Sequence, residues 1–223
     1  MNKSVMRFAK RSNVKVIIFD IDGTLKDLCK EHTNAVKYTL KYFRVSKFKQ
    51  KIVFAMNKIA MYIVKTGLVP TNHSKQNFLV KIYAILCGVK VIDFYETYFE
   101  NYTNEICLFD GAYELLDNLN VEKEVYFATI NKQNYNLEDC GISQERISYT
   151  EGAFKVVTYN KIIKSIGVDL SEVVIVGDNL FDDLLSAKQL GVKCLLVNRY
   201  KSRLKSVVCK LVNGRYLKWI NSF

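Results

Sequence analysis

Apolar positions along the chain fall into two kinds of run. Val14-Lys15-Val16-Ile17-Ile18-Phe19-Asp20 is a short apolar stretch ended by a turn, as are Val125–Thr129, Val173–Gly177 and Cys194–Val197. Runs of this length without alternation read as strands buried on both faces. Between them the apolar positions recur at helical spacing, in Tyr113-Leu116-Leu119, Ile162-Ile163-Ile166 and Leu184-Leu185-Leu190. Strands alternating with helices predict a doubly wound parallel α/β sheet.

The stretch from about Asp27 to Cys107 breaks that alternation and predicts four helices. Val36-Leu40-Phe43 forms one stripe, and Ile52 to Val64 is a nearly all-apolar helix. The turn Pro70–Ser74 precedes a third helix, for which Ser74 is an N-cap, and Phe94-Tyr95-Tyr98-Phe99-Tyr102 marks the fourth. A helical unit inserted after the first strand would sit over the carboxyl ends of the strands, where ligands bind in such sheets. The expected organisation is a core of residues 1–26 and 108–223 with a helical cap of residues 27–107.

Length and composition narrow the picture. At 223 residues with 49% hydrophobic content the chain can bury a core, which excludes wholesale disorder. The net charge is +11, unevenly spread: Leu184 to Phe223 holds no acid. The basic positions Lys37, Lys41, Arg44, Lys47, Lys49 and Lys51 predict a solvated face that steers anions. The basic tail around Arg199, Lys201, Arg203 and Lys205 has the charge to touch nucleic acid or anionic lipid, but no nucleic-acid-binding signature accompanies it. The six cysteines form no Cys-x-x-Cys pair, and the basic start lacks an apolar leader. No apolar run is long enough to span a bilayer. The expectation is a cytoplasmic protein with reduced thiols.

Two acidic turns carry the candidate chemistry. In Phe19-Asp20-Ile21-Asp22-Gly23-Thr24-Leu25, carboxylates two residues apart point the same way in extended chain, and Gly23 permits a tight turn. Such a pair can bind a divalent cation, or divide into nucleophile and proton donor. Gly177-Asp178-Asn179-Leu180-Phe181-Asp182-Asp183 repeats the design after another buried strand. Parallel strands bring Asp178 to the rim that holds Asp20, where clustered acids repel unless a cation neutralises them.

These motifs, in this order, resemble the haloacid dehalogenase-type (HAD) superfamily, and the cap position is similar to its C1-capped subfamily. The resemblance runs from about Val14 to Arg199. It implies that Asp20 is the nucleophile that forms an aspartyl-phosphate, and that Asp22 protonates the leaving oxygen and then activates water. It implies Mg²⁺ held by Asp20, the backbone carbonyl of Asp22, and Asp178, with Asp183 or Asp182 as the further acid. The helix that follows favours Asp183. Thr129 matches the family's second motif, its hydroxyl and the adjoining Ile130 and Asn131 backbone holding phosphate oxygens. Lys155 is the expected motif lysine, with Lys161 as the alternative, although the proline that often follows is absent here. Asp22 argues for phosphate over halide, because the dehalogenases lack that second aspartate.

The function so implied is Mg²⁺-dependent hydrolysis of a small phosphorylated metabolite, a sugar phosphate or nucleoside monophosphate. A β-phosphoglucomutase-like sugar phosphomutase and a non-catalytic HAD-like binding module are the alternatives. Asp27 and His32, at the start of the cap, have counterparts at similar spacings in mutases and in plain phosphatases. His32 reads more simply as a cap-helix residue. Substrate identity and oligomeric state are not legible.

Overall fold

The computed structural model describes residues 5–6, 13–67, 73–103, 107–130, 143–150, 155–203 and 205–207. Strands β1 (Val16–Asp20), β2 (Glu124–Thr129), β3 (Ile147–Tyr149), β4 (Val173–Gly177) and β5 (Lys193–Leu196) form one sheet in the order β3-β2-β1-β4-β5. Every pairing is parallel. All five residues of β1 and of β4 are buried, as continuous apolar runs require between two helical layers.

The period of two along each strand divides the core. Ile17, Phe19, Val125, Phe127, Val174 and Val176 face one side, where Leu115, Leu116 and Leu119 of α5 (Ala112–Asn120) cover them. Val16, Ile18, Val173 and Ile175 face the other, against Tyr159 and Ile162 of α6 (Lys155–Ile166) and Ala187 of α7 (Ser186–Leu190). Strand β3 is absent from the sequence-based expectation. It is three residues long with one of them buried, too brief to show a periodic signal.

Four helices lie between β1 and α5: α1 (Leu28–Tyr42), α2 (Lys47–Lys65), α3 (His73–Cys87) and α4 (Val91–Thr103). They share their own apolar cluster, which includes Val36, Leu40, Val53, Val80, Phe94 and Tyr98. Asp27 caps α1, its carboxylate accepting from the Lys30 N–H at 3.0 Å. The start of α2 extends five residues before the expected Ile52. Helix α3 already begins at His73, so Ser74 lies inside it rather than at its N-cap, and residues 70–72 lie outside the described residues.

Candidate active site

The register of the sheet assembles the rim. Asp20 ends β1 beside Ala128 of β2, so Thr129 follows one residue beyond. Val176 of β4 pairs with Phe19, which carries Asp178 to the same edge. Gly23 adopts φ +85°, and a Cβ there would come within 2.6 Å of the Asp178 carboxylate. Gly177 is needed for a similar reason: a Cβ would meet Asp183 Cγ at 2.2 Å. Two glycines thus clear the space into which the acids pack.

Between β4 and α7 the chain winds as a π-helical turn over Leu180–Leu185. This wider turn accommodates one more residue than an α-helical turn and places both Asp182 and Asp183 in the interior. Asn179 caps it, accepting from the Phe181 and Asp182 N–H groups. Asp183 Oδ2 accepts from the Asn179 N–H at 2.8 Å, and its Oδ1 accepts from Tyr159 Oη at 2.7 Å.

Three lysines answer the acids. Lys155 Nζ bonds Asp20 Oδ1 and lies 3.2 Å from Asp183 Oδ1, whereas Lys161 is exposed further along α6. Lys205 Nζ, fully buried, lies 3.2 Å from Asp178 Oδ2. Lys26 Nζ sits 2.7 Å from Glu31 Oε2 and 3.6 Å from Asp22 Oδ1, over the Tyr102 ring. Asp22 Oδ2 accepts from Thr129 Oγ1 at 3.1 Å, and Asp20 Oδ2 accepts from Thr24 Oγ1 at 3.2 Å.

Burial dominates the electrostatics. It drives the Asp20 carboxyl well above the usual carboxylate range, with Lys155 opposing and Asp183, Asp178 and Asp22 adding to the rise. Asp178 is raised by burial too, against Lys205. Burial by itself would lower the Lys155 ammonium, but the Asp183 and Asp20 carboxylates outweigh it and push it up. A site that makes its own carboxylates hard to ionise calls for a further cation. One oxygen from each of Asp20, Asp178 and Asp183 lies within 4.8 Å of the others. Such a set of hard oxygen donors fits Mg²⁺.

The sequence-predicted residues Asp20, Asp22, Thr129, Lys155, Asp178 and Asp183 therefore meet at one edge. Ile130 follows directly after Thr129, and Asn131 lies outside the described residues. His32 stands apart, buried, with its Nδ1 bonded to Tyr98 Oη among the helices.

A family model for haloacid dehalogenase-like hydrolases matches residues 17–197. The chain belongs to the haloacid dehalogenase-like hydrolases. Among solved structures of this fold, YfnB from Bacillus subtilis, assigned as a HAD-hydrolase and bound to magnesium, superposes with a TM-score of 0.64 at 17% identity. The match covers 86% of this chain and 91% of that one. A Clostridium difficile protein assigned as a phosphatase gives 0.60 at 19% identity, covering 85% and 87%. A Thermotoga maritima protein assigned as a β-phosphoglucomutase gives 0.59 at 14%, covering 81% and 84%. No curated protein matches the sequence. Among the described residues, no helix is long and apolar enough to cross a membrane.

Three members of this HAD site were missed from sequence. Tyr159 falls one helical turn after Lys155, a spacing that could have revealed it. Lys26 occupies the motif turn, where its backbone bridges to Asp22 and Leu108. Lys205 corrects the reading of the basic tail as a surface: its ammonium points into the site, and no local pattern announces that.

Proposed function

We propose that this HAD-like hydrolase is a Mg²⁺-dependent phosphatase acting on a small phosphorylated metabolite through an aspartyl-phosphate on Asp20. The observation that carries the reading is Asp22. It stands two residues from Asp20, is partly accessible, and is tied to Thr129 on the same rim. A second carboxyl group so placed supplies the proton that a departing alkoxide needs and a halide does not.

In this reading an Asp20 oxygen attacks phosphorus as the bond to the leaving oxygen breaks, and Asp22 gives that oxygen its proton. Asp22, now a carboxylate, takes a proton from water as the water oxygen attacks phosphorus. The P–O bond to Asp20 breaks and its carboxylate is restored. Lys155 and the Thr129 hydroxyl supply fixed donors for the phosphoryl oxygens. Tyr159 and the Asn179 N–H hold Asp183, which in turn helps hold Lys155. Asp20, Asp178 and the Asp22 carbonyl would hold Mg²⁺, with Asp183 beside them. When bound, Mg²⁺ supplies the positive charge that lets a carboxylate approach a phosphate dianion.

The helices between residues 27 and 107 serve as the cap. Their approach to the site is marked by Gly67, just beyond α2, whose carbonyl accepts from the Leu180 N–H at 3.0 Å. A Cβ on Gly67 would collide with the Asp178 carbonyl oxygen and crowd Lys205.

The test is hydrolysis of a generic aryl phosphate with Mg²⁺, with EDTA and with Asp20→Asn. Turnover is expected only in the first condition. Undiminished turnover in EDTA or by Asp20→Asn would overturn the reading. A panel of sugar phosphates and nucleotides then identifies the substrate class.

A further inference from the structure

Helix α2 exposes apolar side chains on the side away from its packed face. Only Val53 and Asn57 of its nineteen residues are buried. Asn57 is held by hydrogen bonds, its Nδ2 donating to Thr33 Oγ1 at 3.2 Å and its Oδ1 accepting from Tyr83 Oη at 3.2 Å. On the opposite side Phe48, Ile52, Ile59, Tyr62 and Ile63 point outward. Phe48 is 73% exposed, Ile59 64% and Tyr62 65%. At 100° per residue these five fall within an arc of roughly 100°, centred about 150° from the inward face. A helix that packed only against its neighbours would present polar groups there, and a contiguous exposed apolar stripe of this kind marks an interaction surface.

Charge selects the partner. The helix carries five lysines and no acid. Lys47, Lys51 and Lys58 are exposed and flank one edge of the stripe, within roughly 60–100° of Phe48 by the same helical count. A second copy of the chain seated on this stripe would set lysine against lysine, with no acid on the helix to answer them. The net charge of +11 adds to the repulsion. An anionic lipid surface answers both features. The apolar stripe enters the headgroup boundary and the lysines meet the lipid charges, as in helices that lie in the plane of a membrane. We infer that the outward face of α2 is a docking surface for anionic lipid membranes. This stands independently of the phosphatase reading, because it uses none of the rim residues.

The test is co-sedimentation of the full chain with vesicles of phosphatidylcholine alone and of equimolar phosphatidylcholine and phosphatidylserine. Binding to the anionic vesicles should exceed binding to the neutral ones by about tenfold or more and weaken as salt is raised. Ile59→Ser/Tyr62→Ser and Lys51→Glu/Lys58→Glu should each lose about tenfold or more. All four positions are exposed, and circular dichroism melts check that the variants remain folded. Lys161→Glu/Lys164→Glu on α6 makes the same change in net charge away from α2 and should bind as the wild type does. Three results overturn the inference: no binding to anionic vesicles, binding that survives both α2 variants, or equal loss in the α6 control, which would assign the effect to net charge. A fourth is a dimer in light scattering that Ile59→Ser/Tyr62→Ser dissolves while vesicles are ignored, which would give the face to a second copy.

Discussion

At the carboxyl ends of β1 and β4, Asp20, Asp178 and Asp183 are buried against the ammonium groups of Lys155 and Lys205. Between α1 and α4, His32 and Tyr98 form a buried neutral pair: Tyr98 Oη bonds His32 and accepts from Gln76 Nε2 at 2.9 Å. The two regions solve the burial of polar atoms differently. A neutral hydrogen-bonded pair costs little and fixes how helices cross. A cluster of buried ions costs several kcal/mol in desolvation and is weak evidence for stability. On the proposed phosphatase reading the rim would carry that cost because phosphoryl transfer needs charge held in place.

Breaking one partner in each region should expose that contrast. Lys155→Met leaves Asp20 and Asp183 without their shared cation and should cost about 3–5 kcal/mol in urea unfolding. Tyr98→Phe removes a neutral hydrogen bond and should cost about 1 kcal/mol, so equal losses would erase the distinction. Lys205→Met is read on the rim through metal affinity rather than stability. It removes an ammonium that would compete with a divalent cation for the Asp178 carboxylate, so Mg²⁺ should bind about tenfold tighter in titration calorimetry. Unchanged or weaker affinity would show that Lys205 does not oppose the metal.

The remaining expected effect is a pH slope. Burial lowers the His32 imidazole from 6.5 to about 4. The unfolded chain therefore binds the proton first as pH falls. The stability His32 contributes is complete above pH 6.5 and is lost on the way down to about pH 4. Its neighbour Glu31, raised from 4.5 to about 7 chiefly by burial against the pull of Lys26, has the reverse dependence: its contribution is complete below pH 4.5 and is lost as pH rises toward 7. His32→Gln should flatten the gain between pH 4 and 6.5 and leave the Glu31 trend. Parallel wild-type and His32→Gln stability profiles would refute this assignment.

The rim was largely readable from sequence because strand register does the positioning. Once β1, β2 and β4 are recognised as parallel runs, Asp20, Thr129 and Asp178 must share an edge. The π-helical turn that seats Asp183 is foreshadowed by one extra residue after Gly177. Lys205 and β3 were not readable. Lys205 looks like any residue of a basic tail until tertiary packing brings it under Gly67, and β3 is shorter than the period needed to see it. For α2 the near-continuous apolar pattern was plain. Which side faces outward depends on how α1 and α3 pack against it, through Asn57, and no local signal encodes that.

The most direct test of the central claim, that the rim performs phosphoryl transfer through Asp20, is the mass of acid-quenched protein during turnover of an aryl phosphate. The account predicts one added phosphoryl group on the peptide that contains Asp20, removed by hydroxylamine and absent in Asp20→Asn. Turnover in which Asp20 never carries a phosphoryl group would contradict it.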